Sequence, residues 1–412
     1  MERILYLAHR IPYPPNKGDK IRSYHVLRYL AERYQVWLGA FVDDPRDWRH
    51  AETLQRWCRQ CRLLPLPPRR ARLRSLRGLL TGAPLTLPYY RDARMADWVR
   101  QCVAEQGIET AFVFSSSMAQ YLDGDEFTGL RRVIDFVDVD SDKWEQYSRA
   151  QRWPMSWVYR REGRRLDRYE RRIAQRFDAS VFVSAEEAAL FADRVPAECN
   201  IGYYDNGVDW GYFSPRPEVD SPFDPGARVL VFTGAMDYWA NADAVNWFAG
   251  DIFPAVREQV PDALFAIVGA RPTEAVRRLE RLPGVRVTGA VEDIRPYLEH
   301  AHAAVAPLRI ARGVQNKVLE AMAMARPVIA SPQALDGIDY PVGADLRRAE
   351  TEAQFVSAAV ELLGERQTAP AARDWIRRRY DWDINLSRLQ AMLDPGTGRA
   401  ADALLAGGVP GG

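Results

Sequence analysis

Lys317 and Glu320 stand three residues apart in the segment from Val305 to Ser331, VAPLRIARGVQNKVLEAMAMARPVIAS. An apolar run, Ala303 to Pro307, reads as a buried strand, and a loop carrying Arg309, Arg312 and Gly313 follows. A helix is predicted from Val314 to Ala323, with Asn316 and Lys317 in its first turn. Side chains three apart share one helix face. At the N-terminal end of a helix, free N–H groups and the dipole favour an anion. A phosphate fits beside Lys317, and the Glu320 carboxylate one turn further in can accept hydrogen bonds from ribose or sugar hydroxyls. Together these residues suit a nucleotide-sugar diphosphate.

Two other stretches carry chemistry. Pro12 to Lys20 follows the first predicted strand, in the place where Rossmann-like domains meet ligands beyond the carboxyl ends of their strands. Asn16 lies in this loop, Gly18 allows close backbone approach, and Lys17, Lys20 and Arg22 can face a diphosphate. With one glycine the loop offers no G-x-G-x-x-G cofactor site. His9 ends the preceding strand and could face the same ligand. Asp135, Asp138, Asp140 and Asp142 crowd the end of the strand that finishes at Val137. The D-x-D of Asp138 and Asp140 is open to several readings: a divalent-metal site, a phosphatase nucleophile strand, a polar or catalytic group in a cleft, or plain caps on the next helix.

Elements must hold these residues in place, and the pattern supplies them. Strands are predicted at Ile4–Ala8, Val36–Val42, Ala111–Phe114, Val133–Val137 and Ser180–Val183, and again at Val229–Phe232, Leu264–Val268, Val285–Val287, Ala303–Ala306 and Val328–Ala330. Helical patterns lie between them, for example 20–33, 94–105 and 243–258. This alternation argues for an α/β fold of two doubly wound parallel sheets, as the length of 412 residues also suggests. Glu218 to Gly226, EVDSPFDPG, reads as a hinge.

Net charge is +1, but residues 1–205 carry 34 Lys and Arg against 28 Asp and Glu, and the remainder is acidic. The excess is concentrated in two arginine-rich stretches, Arg69 to Arg77 and Trp157 to Phe177. Arg160, Arg164, Arg168 and Arg171 recur at helical spacing there, beside Trp153 and Trp157. Basic helices with apolar neighbours can rest on anionic membranes, and a solvated, salt-bridged face is the plainer alternative. No run reaches the length of a membrane span, and the N-terminus reads directly as a strand, so a cytoplasmic location is expected, with contact at the inner membrane. No nucleic-acid partner is expected. Cys58 and Cys61 form a C-x-x-C without a second pair, so the four cysteines read as structural thiols.

The pattern N-K-x-x-E-A-M-A-x-x-x-P-V-I-A at 316–330 resembles the donor site of family-4 retaining glycosyltransferases of the GT-B fold. Asn206-Gly207-Val208-Asp209, followed by Phe213-Ser214-Pro215, resembles the signature where that group enters its second domain. Arg10 to Arg22 and Phe232 to Tyr238 resemble, more narrowly, the sugar transferases found beside exosortase/PEP-CTERM exopolysaccharide clusters. The resemblance implies two Rossmann-like domains facing a cleft: an acceptor domain at 1–205, a donor domain at 206–375, a helix crossing back at 376–393, and a disordered tail at 394–412. It implies metal-independent transfer of a sugar from a nucleoside diphosphate sugar to a carbohydrate or lipid-linked acceptor, with no cofactor. Lys317 would contact phosphate and Glu320 the ribose. Asp138 and Asp140 would supply the cleft, and Gly289, Ala290 and Val291 would hold the nucleobase. Gly234 opens the loop that carries an Arg and a Lys in many relatives; neither is present here, which leaves that charge to Arg309 and Lys317 with help from Lys17. Arg312 stands where the first of two family glutamates is usual. A nonhydrolysing nucleotide-sugar epimerase and an inactive GT-B binding scaffold are the alternatives.

Overall fold

A computed structural model describes residues 1–15, 18–150, 152–311, 313–338, 340, 343 and 345–394. They form two compact units. The first is Met1–Asp205 with the residues from Asn385 onward; the second is Asn206–Ile384. Each has its own hydrophobic core. Asn16, Lys17, Arg312 and the tail from 395 lie outside the described residues.

The first unit is built on seven strands: β1 (Arg3–Ala8), β2 (Gln35–Val42), β3 (Gln60–Pro65), β4 (Thr110–Phe114), β5 (Arg131–Val137), β6 (Ala179–Phe182) and β7 (Ile201–Tyr203). Their order is β3-β2-β1-β4-β5-β6-β7, with every pairing parallel. The second unit has β8 (Arg228–Thr233), β9 (Ala263–Val268), β10 (Val285–Gly289), β11 (Ala303–Ala306), β12 (Val328–Ala330) and β13 (Leu346–Arg348). Their order is β10-β9-β8-β11-β12-β13, again all parallel. Parallel strands are covered on both faces, which is why the central ones read as continuous apolar runs. Each sheet is doubly wound. In the first, the chain order reverses between β1 and β4; in the second, between β8 and β11. Ligands of such sheets bind beyond the strand carboxyl ends at the reversal.

Several elements differ from the sequence reading. The helix expected over 243–258 is Trp239–Trp247, a π turn at Phe248–Ile252, and Phe253–Gln259. Glu218–Gly226 lies inside the second unit, and Phe223 is buried in its core, so this proline-rich stretch is not a hinge between the units. The C-terminal helical pattern is two helices, Pro370–Arg379 and Trp382–Leu393.

Arg22, expected to face a diphosphate, is instead a structural element of the first unit and only 1% exposed. Its Nε donates to Asp135 of β5 at 2.8 Å. Its two terminal nitrogens donate to the Tyr204 carbonyl at 3.0 Å and the Phe182 carbonyl at 3.2 Å. The guanidinium stacks 3.6 Å from the Tyr204 ring centre, and the Tyr204 hydroxyl donates to Asp135. One side chain on the Gly18–Arg33 helix thus ties β5, β6 and the chain after β7. Breaking a buried ion pair by removing one partner typically costs about 3–5 kcal/mol, because the other charge is left uncompensated. Arg22→Met should lower the unfolding free energy by about that amount in urea titrations with an unchanged slope. A variant within about 0.5 kcal/mol of wild type would mean that the knot carries little stability.

Candidate active site

In the second unit the loops after β8, β9 and β10 are laced together. The Gly234 amide donates to the Val268 carbonyl at 3.1 Å, the Met236 amide to Ala270 at 2.9 Å, and the Gly269 amide to Gly289 at 3.2 Å. A Cβ on Gly269 would sit 1.7 Å from the Gly234 oxygen, so only glycine lets the two loops approach this closely. A Cβ on Gly234 would meet the Asn241 amide nitrogen at 2.7 Å. That nitrogen donates to the Ala235 carbonyl at 2.9 Å, which turns the Asn241 oxygen toward Lys317. Lys317 Nζ donates to it at 3.1 Å and lies 5.3 Å from the Phe232 ring centre.

Lys317 is carried by the helix Asn316–Ala323, which follows β11 across the reversal from β8. Gln315 is its N-cap but makes no side-chain cap; its amide nitrogen donates instead to the Gly313 carbonyl at 2.9 Å. Gly313 has a φ of 66°, a left-handed turn suited to glycine. The backbone amides of Asn316 and Lys317 have no acceptor among the described residues, and the Asn316 side-chain oxygen is buried without a partner. Glu320 stands one turn further on, and its carboxylate has no hydrogen-bond partner among the described residues. Burial pulls the Lys317 ammonium down to about 8, opposed by the charge of Glu320. Burial pushes the Glu320 carboxyl up to about 7, opposed by Lys317. The result is an ammonium with a neutral amide as its partner, beside two open backbone N–H groups. Such a group can receive a diphosphate, and Glu320 can receive hydroxyls.

The other donor-side residues are placed unevenly. Gly289 ends β10 with a φ of 70°, beside an exposed Ala290, while Val291 packs partly against the core. Arg309 is turned aside: its Nε donates to Asp243 at 2.9 Å, a terminal nitrogen donates to the same carboxylate, and the guanidinium lies over Trp247. A standing ion pair would have to open before Arg309 could meet a phosphate. Asn241 and Gly269 went unnoticed in the sequence. A G-A-x-x-x-x-x-N spacing after a strand was the available signal for the first; the second follows β9 in V-G-A.

In the first unit a second constellation gathers at strand ends. His9 Nε2 lies 3.4 Å from Asp19, and the ring stacks on Phe114. Asp19 also accepts from Arg10 at 2.8 Å. Burial alone would raise the Asp19 carboxyl, but His9 and Arg10 hold it far below the usual carboxylate range. Beyond β5, Lys143 donates to Asp138 and lies 3.8 Å from Asp140. Burial pushes the Asp140 carboxyl up, against the pull of Lys143, and the charge of Asp138 adds to the rise. The two Asp expected in the site are therefore bridged by a lysine the sequence reading did not consider. Among the described residues, no group of three or more His, Cys, Asp or Glu is arranged to hold a metal ion. Ser115 after β4 and Val137 in β5 both have left-handed backbones, φ 82° and 71°. For a β-branched residue this is strained, and such strain gathers at functional sites. Gly18 starts its helix with open space where a side chain would be. Lys20, by contrast, is 1% exposed and donates to Asp47 at 2.6 Å, so its charge is already matched inside the protein.

Comparison with known proteins bears on this geometry. Residues 227–365 match the family described as glycosyl transferases group 1, a span that contains Gly234, Asn241, Lys317 and Glu320. The protein is a glycosyltransferase of GT-B fold. Among solved structures, sucrose-phosphate synthase from Thermosynechococcus elongatus superposes with a TM-score of 0.63 at 14% identity, over 98% of this chain and 100% of that one. Anabaena Alr3699/HepE in complex with UDP-glucose gives 0.64 at 15% identity, over 95% and 99%. WaaG, a glycosyltransferase involved in lipopolysaccharide biosynthesis, gives 0.57 at 13%, over 98% and 100%. A search of curated protein sequences returns no match.

The Lys317–Glu320 pair gives the enzyme a pH signature. Below about 8 the lysine is charged, and above about 7 the glutamate is ionised. Affinity for a nucleoside diphosphate should rise through the lower value and fall through the higher one, as a property of the coupled pair. Lys317→Arg, whose guanidinium stays charged, should abolish the alkaline fall in a calorimetric titration. An alkaline limb unchanged in that variant would remove Lys317 as its origin.

Proposed function

We propose that this glycosyltransferase moves a sugar from a nucleoside diphosphate sugar to a carbohydrate or lipid-linked acceptor in exopolysaccharide assembly, without a metal and with retention at the anomeric carbon. The observation that carries the reading is Lys317, held by Asn241 of the helix Trp239–Trp247 that follows β8 and set beside open helix N–H groups, within the segment that matches group 1 glycosyltransferases. As the sugar–phosphate bond breaks, negative charge grows on the departing diphosphate. Fixed positive charge and backbone N–H groups already aimed at it stabilise that state without reorganising. Glu320 holds ribose hydroxyls, and Gly289, with open space where a side chain would be, lets the ligand touch backbone. UDP and UDP-glucose, bound by the Anabaena relative, are the first donors to try. On the acceptor side, Asp138, Asp140 and His9 are the candidates, with Lys143 setting the charge of the two aspartates.

The same reading places the acceptor at a membrane surface. The helix Met155–Arg176 and the segment 68–86 are joined: Arg161 donates to the Gly78 carbonyl at 2.6 Å, and Glu162 accepts from the Leu85 amide at 2.7 Å. Around this seam Leu73, Leu76, Trp153 and Trp157 are exposed, as are Arg69, Arg70, Arg160, Arg164 and Arg168. Arg74 is not available to a lipid: it donates to the Pro88 and Tyr89 carbonyls at 2.7 and 2.6 Å. No described helix is long and apolar enough to cross a membrane. Each basic residue near an anionic surface contributes about 1 kcal/mol, screened by salt.

Two measurements test these readings. Lys317→Ala should lower kcat by about 100- to 1000-fold, the usual effect of losing one charge-stabilising contact in the transition state; full activity in that variant would reject the donor-site assignment. The protein should co-sediment with anionic vesicles at low salt and leave them at high salt. Equal binding to neutral vesicles would sink the electrostatic docking.

A further inference from the structure

The helix Met155–Arg176 divides its arginines into two groups. Arg161 donates to the Gly78 and Ala83 carbonyls, Arg171 pairs with Asp167 at 2.8 Å, Arg172 with Asp123 at 2.6 Å, and Arg176 with Asp123 and Asp125. Arg160, Arg164 and Arg168, each four residues from the next, have no carboxylate or carbonyl partner among the described residues and are exposed. Like charges at this spacing destabilise a helix surface. Arginine abundance alone does not account for the ridge, since Arg161, Arg171, Arg172 and Arg176 on the same helix are matched; Arg165, exposed beside Arg164, adds to the unmatched charge.

The ridge borders two concavities. One, of about 440 Å³, lies between this helix and Asp140–Ala150, and Arg149, Arg160, Arg164 and Arg194 line it. The two acids in its wall are already engaged: Glu145 with Arg149 at 3.1 Å, and Asp167 with Arg171 at 2.8 Å and Arg194 at 3.8 Å. Gly163 lets the helices close on each other, since a Cβ there would meet the Ser141 carbonyl oxygen at 3.0 Å. The other concavity, about 230 Å³, shares Arg160 and Arg164 with the first, adds Arg165 and Arg168, and has no acidic residue in its lining. Two guanidinium forks one helical turn apart, about 6 Å along the axis, match the planar two-point contact that phosphate oxygens accept.

We infer that the cavity between these two helices is a binding site for a phosphate ester or diphosphate, seated on Arg160 and Arg164. It is separate from the donor site at Lys317 and does not depend on it. The phosphate could belong to a lipid headgroup or to a soluble compound. Pyrophosphate titrated calorimetrically into the full-length Lys317→Ala protein removes the donor site as a competing seat. Binding should persist there and weaken at least tenfold when Arg160→Ala and Arg164→Ala are added, while Arg69→Ala with Arg70→Ala leaves it unchanged. Arg160→Lys with Arg164→Lys should give an intermediate loss, since charge remains but the fork is gone. Phosphatidylglycerol vesicles then separate the sources. Displacement of pyrophosphate by them assigns the site to a lipid headgroup, and its retention beside bound vesicles assigns a soluble ligand. Pyrophosphate affinity in the Lys317→Ala background that is absent, or that is unmoved by the Arg160 and Arg164 changes, overturns the site.

Discussion

The second unit is arranged around a cation that has no carboxylate at ion-pair distance among the described residues, the nearest charge acting on it being Glu320 one turn along its own helix. Lys317 has a neutral amide oxygen at 3.1 Å and an aromatic face below it. Its burial already weakens the ammonium. An acid placed within contact would stabilise that charge and also neutralise it. The fold instead meets the desolvation cost partly with Asn241, a neutral acceptor, which keeps the field of the lysine available to a ligand. Much else follows from this choice. Asn241 must be oriented, so its nitrogen is fastened to Ala235. The loop that leads into its helix must come close, so Gly234 and Gly269 have no side chains. The helix that carries Lys317 must begin at the reversal between β8 and β11, because only there do the loops of two non-adjacent chain segments diverge.

The central strands were legible because burial on both faces leaves no polar residue to interrupt them; β11 and β12 have the bounds their apolar runs predict. The edges were not. β3 alternates with Arg62 and has one buried residue, Leu64, while β7 and β13 are three residues long. Such strands are defined by the neighbour they pair with, which no local pattern records. The π turn at Phe248–Ile252 was hidden for a related reason: its residues keep a helical apolar pattern, and the shift appears only in the hydrogen bonds.

The site divides along the same line. Lys317 and Glu320 could be read from spacing on one helix, and the strand-end position of Asp138 and Asp140 from a polar cluster after an apolar run. What could not be read is whether a charged side chain is already matched. Lys20 and Arg22 sit in the same loop-and-helix start as Gly18 and looked equivalent to Lys17 in type. Both are buried, and their partners Asp47 and Asp135 lie 27 and 113 residues away in sequence. Arg309 meets Asp243 at a separation of 66, and Asn241 meets Lys317 at 76. A one-dimensional reading finds helix neighbours and misses partners brought together by the sheet.

The same distinction reinterprets the basic first half of the chain. A surplus of positive charge suggests an anionic partner only where the charge reaches solvent unpaired. Several of these arginines do not. Arg22 and Arg132 are buried and donate to backbone carbonyls, Arg132 to those of Leu122 and Arg176, and Arg74 does the same at Pro88 and Tyr89. The guanidinium suits this work because its several donors can satisfy carbonyls at strand and helix ends that would otherwise be buried unpaired. Arginine content in this unit therefore has two physical origins. One set closes the fold from within. The other, the ridge of Arg160, Arg164 and Arg168 with Arg165 beside it, makes no ion pair among the described residues and carries the unmatched positive charge of that helix.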